Sequence, residues 1–287
     1  MALVSAKEML SDARARKYAV PMFDVNGYEM VRCLAETAER MKSPVMLACI
    51  VPEIEANALD YLTALMDVAA RKTSVPVAIH LDHSDSFENC ARCIKAGFNS
   101  VMIDASAMPF AENVRITKEV VDFAHARGVT VEAELGHVGD GICGGGSEGK
   151  SAAAALTDVS EVEKFVEATN VDALAVSIGT AHGTYVSAPT LDIPRLAAIN
   201  AVSRACLVLH GGSGTPEDQL KAAVANGISK VNVYTDLVKA YNSEMKKEYE
   251  RMKYVGTWQM IIAKKPIEAM GKKAAEYMEM FGSANKA

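Results

Sequence analysis

The stretch VPVAIHLDHSD, residues 75–85, joins an apolar run of strand character to an end that carries two histidines, two aspartates and a serine. A run this apolar belongs to a strand buried on both faces. Polar and charged side chains are costly in such a place unless they are paired or bind something. The polar end therefore points to a metal, a substrate or an unusually polar piece of core.

Working outward, seven more runs of the same kind appear. Upstream lie YAVPMFDV (18–25) and PVMLACIV (44–51); downstream lie SVMIDAS (100–106), VTVEAELG (129–136), ALAVSIG (173–179), ACLVLHGG (205–212) and KVNVYTD (230–236). Between them sit segments of helical periodicity such as YEMVRCLAETAERM and TPEDQLKAAVANG. Eight apolar strands alternating with helices, with no linker or composition break, predict an α/β chain. The expected form is a closed (β/α)8 TIM barrel, one domain over residues 1–287, rather than an open doubly wound sheet. No G-x-G-x-x-G fingerprint marks the first crossover, which removes the simplest case for a dinucleotide fold. The segment IIAKKPIEAMGKKAAEYMEMFG (261–282) reads as a C-terminal helical extension packed on the barrel or on a neighbouring subunit.

The composition excludes several classes. With 30 basic against 36 acidic residues, a net charge of −6 and no basic stripe, the chain is not expected to bind nucleic acid. The amino terminus lacks the pattern of a secretory signal, and no run of about 18 apolar residues occurs, so a soluble, cytoplasmic protein without a membrane partner is expected. Cysteines at 33, 49, 90, 93, 143 and 206 are expected to be reduced. Cys90 and Cys93 form a C-x-x-C on a helical segment with no second C-x-x-C, which reads as structural thiols rather than a zinc knuckle.

In such a barrel the active site lies at the carboxyl ends of the strands. The polar residues expected there are Asp82 and His83 on strand three, Asp104 on four, Glu134 on five, His182 after six, His210 on seven, and Asn232 and Asp236 on eight. Three imidazoles on one rim suit a catalytic zinc with an open fourth position. Glu134 and Asp104 are alternative ligands or partners that orient the imidazoles. His80, three residues before His83, is expected on the opposite side of the strand. His125 is expected to be exposed on a helix, and His137 opens a loop without a clear role. Gly183, the run Gly211-Gly212-Ser213-Gly214-Thr215, Asn232 and Thr235 place small residues and hydroxyls past strands six to eight, a usual phosphate position in this fold. The glycine-rich loop after strand five reads as a lid, whose acids Asp140 and Glu148 are candidates for a base.

With HLDH, ELG, GTAHG, HGGSG and KVNxxTD in this order, the chain resembles the class II, zinc-dependent ketose-bisphosphate aldolases, closest to the tagatose- and fructose-bisphosphate branches. The match runs from AVPMFDVN to the terminal FGSANK. The resemblance implies Zn2+ held by His83, His182 and His210, with Glu134 and Asp104 near the metal. It implies that Asp82 transfers the proton at the hydroxyl made or broken. Gly183, Gly211, Ser213, Asn232 and Thr235 would grip dihydroxyacetone phosphate, helped by a monovalent cation (Na+ or K+). The product pair would be dihydroxyacetone phosphate and an aldehyde such as glyceraldehyde 3-phosphate, in a homodimer or homotetramer of glycolytic or related carbohydrate metabolism.

Three departures bear on the substrate. The lid's GDGICGGG leaves Asp140 as its nearest acid; Ile50 stands where the family tends to place a hydroxyl for the far phosphate; and the tail offers Lys264 or Lys265 where an arginine is common. A point charge in place of a bidentate fork changes anion recognition. The far group is then phosphate held differently, a sulfonate as in sulfofructose 1-phosphate, or uncharged. The competing readings are zinc hydrolysis on the same barrel and a catalytically silent sugar-phosphate-binding subunit.

Overall fold

Eight parallel strands close into a barrel in chain order. They are β1 (Val20–Asp24), β2 (Val45–Ile50), β3 (Val77–Ser84), β4 (Ser100–Ile103), β5 (Thr130–Leu135), β6 (Ala173–Val176), β7 (Cys206–Leu209) and β8 (Ile228–Asn232). The last closes on the first through Val20↔Lys230, Pro21↔Val231 and Met22↔Asn232. This computed structural model describes residues 3–56, 58–140, 155–252 and 256–287, and only the backbone of Asp140. The expected barrel is therefore present. β8 begins and ends earlier than KVNVYTD suggests, because Thr235 already opens the helix Thr235–Arg251. Asp236 accordingly belongs to a helical first turn and not to a strand end.

Alternation along each strand divides the core in two. Odd positions such as Ile79, Leu81, Val101, Val131, Ala133, Leu207 and Val231 face outward into one apolar cluster with the surrounding helices. Even positions such as Met22, Met46, Ala78, Met102 and Val208, and the odd positions Ala173 and Ala175 on β6, face the barrel axis. There they meet Met9, Leu10 and Ala13 of the helix Ala6–Arg16, which stoppers the amino-terminal end of the barrel. Towards the carboxyl ends of the strands the inward positions turn polar: His80, Asp82, Glu132, Glu134, His210, Lys230 and Asn232 are all buried.

The tail behaves as expected, with the helix Lys264–Met280 packing on the helices Thr235–Arg251 and Tyr28–Met41. Among the described residues no helix is long and apolar enough to cross a membrane. Cys33, Cys49, Cys90, Cys93 and Cys206 are buried free thiols, and burial raises the pKa of each. Cys143 lies outside the described residues.

Candidate active site and metal centre

His83 owes its position to a break in its strand. Between β3 and β4 the pairing runs Leu81↔Val101 and then Ser84↔Ile103, so one extra residue is inserted in β3. His83 sits in that bulge with φ 45°, a left-handed conformation that side chains other than glycine adopt at some cost. The bulge turns its ring to the mouth, where regular alternation would have sent it outward. The expectation for His80 is reversed as a result. His80 shares the inward register of Asp82, and it is His83 that departs from the period.

Three ring nitrogens converge at the mouth. His83 Nε2 lies 3.2 Å from His182 Nε2 and 2.7 Å from His210 Nδ1. The far nitrogen of His83, Nδ1, is 2.9 Å from Asp104 Oδ2, and that of His210, Nε2, is 2.9 Å from Glu132 Oε1. A carboxylate can only accept, so each of these outer nitrogens carries the proton. The lone pairs of His83 Nε2 and His210 Nδ1 are thereby aimed at one another, an arrangement that needs a positive charge between them. A proton on His83 supplies it in the metal-free protein; a dication shared by all three rings supplies it equally well. A second possible metal group, His83, Asp104 and Glu134, shares the same imidazole.

Polar satisfaction fails at this mouth. Among the described residues the buried side-chain atoms without a hydrogen-bond partner are Asp24 Oδ1, Glu134 Oε2, Thr180 Oγ1 and Asn232 Oδ1, all at or just past carboxyl ends of strands. The other described buried side-chain polar atoms find partners, so this clustering marks a place built for something else to bind. The donor set and the orphaned oxygens both fit a divalent metal.

Electrostatics agree. Burial disfavours an imidazolium at His83, but Asp82, Asp104 and Glu134 outweigh it and push its pKa up to about 10. Burial pushes Glu134 up to about 8, with Asp104 adding to it. Burial would also raise Asp104, yet the hydrogen bonds from His83 and Ser106 hold it below the usual carboxylate range. His210 is depressed by burial and then by the charge on His83. Both His83 and Glu134 bind protons more tightly folded than unfolded. Their contribution to the stability of the metal-free protein is complete below their unfolded values of 6.5 and 4.5 and is lost as pH rises through 8 and 10. The depressed His80 and His210 act in the opposite sense only up to their unfolded value of 6.5, so calorimetry in the presence of a chelator should show Tm falling from about pH 7.5 to pH 10. A rising Tm over that interval would contradict these protonation states.

Other expected residues gather around this centre. Asn232 Nδ2 donates to Asp82 Oδ1 at 3.1 Å and fixes that carboxylate beside His83. Ser106 Oγ lies 2.6 Å from Asp104 Oδ1 and 2.8 Å from His137 Nδ1, which gives His137 a place behind the site. His125 is half-buried and pairs with Asp172 at 2.8 Å, far from the mouth. His182 is held by a two-residue parallel pairing of Gly139–Asp140 with Ala181–His182. Of the two lid acids, Glu148 and the side chain of Asp140 lie outside the described residues.

The corner where phosphate is expected is built from tight backbone. Gly183 and Gly211 have φ of 86° and 69°, and the amide of Gly212 donates to Asn232 O at 3.0 Å. The hydroxyl of Tyr185 accepts from Ala181 N and donates to Gly211 O, tying the loops after β6 and β7 together. Ser213 Oγ accepts from the amides of Tyr234 and Asp236 at the start of the helix that Thr235 opens. Asp236 itself is held by Gly214 N and by the Tyr277 hydroxyl. A side chain at Gly211 would strike the carbonyl of Ala181, whose carbon lies 2.9 Å from the added atom. Gly211→Ala should cost about 1–3 kcal/mol of stability and weaken metal and phosphate binding together, because His182 adjoins the displaced backbone. Urea melts and the KM for a phosphorylated substrate would measure both, and wild-type values would show that the corner is slack.

Lys264 opens its helix and is exposed, while Lys265 pairs with Glu248 at 2.8 Å. No described contact carries either lysine to the mouth. Sequence reasoning missed Glu132 and Lys230, which lie just below the three histidines, and misplaced His80. The signal was one alternation step: each stands two residues before a recognised mouth residue, Glu134, Asn232 and Asp82 respectively.

Comparison with known proteins gives the geometry its context. Residues 4–286 match the family model described as fructose-bisphosphate aldolase class-II. A 6-phospho-5-dehydro-2-deoxy-D-gluconate aldolase of Bacillus subtilis (strain 168) is 38% identical, with 100% of this chain and 98% of that protein aligned. The crystal structure of the YdjI aldolase from Escherichia coli K12 superposes with a TM-score of 0.87 at 33% identity, covering 99% of both chains. That of a putative fructose-1,6-bisphosphate aldolase from Coccidioides immitis gives 0.85 at 32% identity, covering 98% of this chain and 97% of the other. Barrel, mouth and full-length likeness agree, and the chain belongs to the class II fructose-bisphosphate aldolase family, whose members are generally zinc-dependent carbon–carbon lyases.

Proposed function

We propose that this aldolase cleaves a ketose 1-phosphate reversibly to dihydroxyacetone phosphate and an aldehyde, with zinc held by His83, His182 and His210. The observation that carries the reading is the convergence of three imidazole nitrogens beside a carboxylate, Asp82, that Asn232 holds in place. Bound zinc supplies Lewis-acid stabilisation of the negative charge that develops on the substrate's oxygens when the C3–C4 bond breaks. Asp82 takes the C4 hydroxyl proton during cleavage and returns it during condensation. Gly183, Gly211, Gly212, Ser213, Asn232 and Thr235 bind the phosphate end, aided by a monovalent cation, and an acid of the lid, Asp140 or Glu148, removes the C3 proton in condensation. The enzyme acts as a homo-oligomer, and Lys264 reaches the site of a neighbouring subunit.

Tagatose or fructose 1,6-bisphosphate is the default substrate. A second reading, with a far end other than phosphate, is favoured by charge. Asp24 and Glu53 lie close to Asp82 on the β1–β2 side, and burial and mutual repulsion raise the pKa of both. Ile50, paired with Asp82 across the strands, offers its amide to Glu53 at 2.9 Å. Carboxyl groups on this side bring a phosphate dianion no countercharge. The Bacillus relative's named substrate likewise carries a carboxyl at the end away from its phosphate.

The test is release of dihydroxyacetone phosphate by zinc-loaded protein from both bisphosphates and from 1-phosphoketoses ending in a carboxylate, a sulfonate or a hydroxyl. Release that chelation abolishes supports the reading, and the preferred far end identifies the substrate class. Release of inorganic phosphate without triose phosphate would point to hydrolysis instead, and inertness towards every compound would support a silent subunit.

A further inference from the structure

Directly beneath the three histidines lies a buried polar chain that the reaction above does not use. Glu132 spans it: Oε1 lies 2.9 Å from His210 Nε2, and Oε2 accepts from Lys230 Nζ at 2.7 Å. Lys230 Nζ also lies 3.4 Å from His80 Nε2, and His80 Nδ1 lies 2.8 Å from Ser100 Oγ. Ser100, His80, Glu132 and Lys230 are each at most 1% exposed. An ammonium only donates, so His80 accepts at Nε2 and carries its proton on Nδ1, towards Ser100. Every member of the chain thus has one fixed donor or acceptor role. A buried lysine–glutamate pair is seldom a source of net stability, since an apolar pair of similar volume does as well. Its retention under a metal-binding face calls for another purpose.

We propose that Glu132 and Lys230 are a positioning pair for His210. Glu132 accepts the Nε2 proton and so presents Nδ1 to the metal, while Lys230 occupies the other carboxylate oxygen and fixes the direction in which Glu132 points. The inference rests on the proposed metal centre. It makes a specific demand on the chemistry of position 132, which must offer two acceptors, one upward and one downward. Glutamine has one acceptor oxygen and one donor group. With Lys230 present, the amide oxygen of Glu132→Gln is drawn to the ammonium and its NH2 faces His210. His210 must then accept at Nε2 and hold its proton on Nδ1, where the metal should bind. Removing Lys230 releases the amide oxygen to serve His210 again.

The experiment measures zinc affinity by chelator competition, and the visible spectrum of the cobalt(II)-substituted full-length protein, for wild type, Glu132→Gln, Lys230→Met and the double variant, each checked by circular dichroism. Glu132→Gln should bind zinc about 10–100-fold more weakly, the loss typical of a missing partner to a metal-bound histidine, and its cobalt spectrum should change. The double variant should recover most of that loss. If Glu132→Gln does not fold, Glu132→Asp, one carbon too short to span both partners, takes its place and should weaken zinc comparably. Unchanged zinc affinity in the single variants, or a double variant no better than Glu132→Gln, overturns the positioning role. Failure of the underlying metal reading looks different: wild type and His210→Ala would then bind zinc equally.

Discussion

Asp82→Ala, loaded with zinc, is expected to keep its metal and lose about 10²–10⁴-fold in kcat, the usual contribution of a positioned general acid–base. The separation of the two readouts follows from the geometry. Asp82 is not among the residues of either possible metal group, whereas its Oδ1 is fixed by Asn232 next to His83. Truncation leaves the Asn232 amide without that acceptor and leaves the three imidazoles where they are. Metal analysis alongside steady-state kinetics of dihydroxyacetone phosphate release would measure both. Normal turnover in Asp82→Ala would remove it from proton transfer, and simultaneous loss of zinc would recast it as part of the metal's support.

His83→Ala is expected to abolish stoichiometric zinc binding and, with it, aldol cleavage. His83 is the residue common to both possible metal groups among the described residues, so neither group survives its removal. The loss should exceed the 10–100-fold that removal of an outer partner costs. Alanine also meets a backbone penalty of about 1–2 kcal/mol in the left-handed conformation at this position. His83→Asn separates the two effects, because asparagine tolerates that conformation while lacking the imidazole. Both variants should be metal-free and inactive, with the asparagine form the more stable in urea. An asparagine variant that binds zinc as tightly as wild type would exclude His83 as a ligand.

The barrel was readable because its strands are apolar on both faces and therefore appear in sequence as continuous runs separated by helical periods. The mouth was readable where regular alternation applies: Asp82, Glu134 and Asn232 share the inward register and close their strands. His83 reached the right list for a reason the sequence does not display, since a bulge and one left-handed residue bring it inward. Using His83 as the inward reference then sent His80 to the wrong side. Glu132 and Lys230 went unnoticed because charged residues in the middle of a buried strand have meaning only once their partners across the barrel are known, and those partners are distant in sequence. Asp236 was assigned to a strand that had already ended. The lysines of the tail show the converse limit, for a helix can be recognised from periodicity while the surface it serves cannot.

The backbone at residue 83 also has an evolutionary meaning. Glycine would sit there without strain and asparagine nearly so, whereas histidine is held in place only by what its ring does. The backbone and the ring therefore pull this position in opposite directions, for the ring's pairing with Asp104 offsets the strain beneath it. In a background where Asp82, Asp104 and Glu134 are made neutral, a library screened only for folding should drift towards glycine or asparagine at residue 83, and one screened with the acids intact for growth on the substrate should return to histidine, so the residue frequencies at this one site report which pressure a population has experienced.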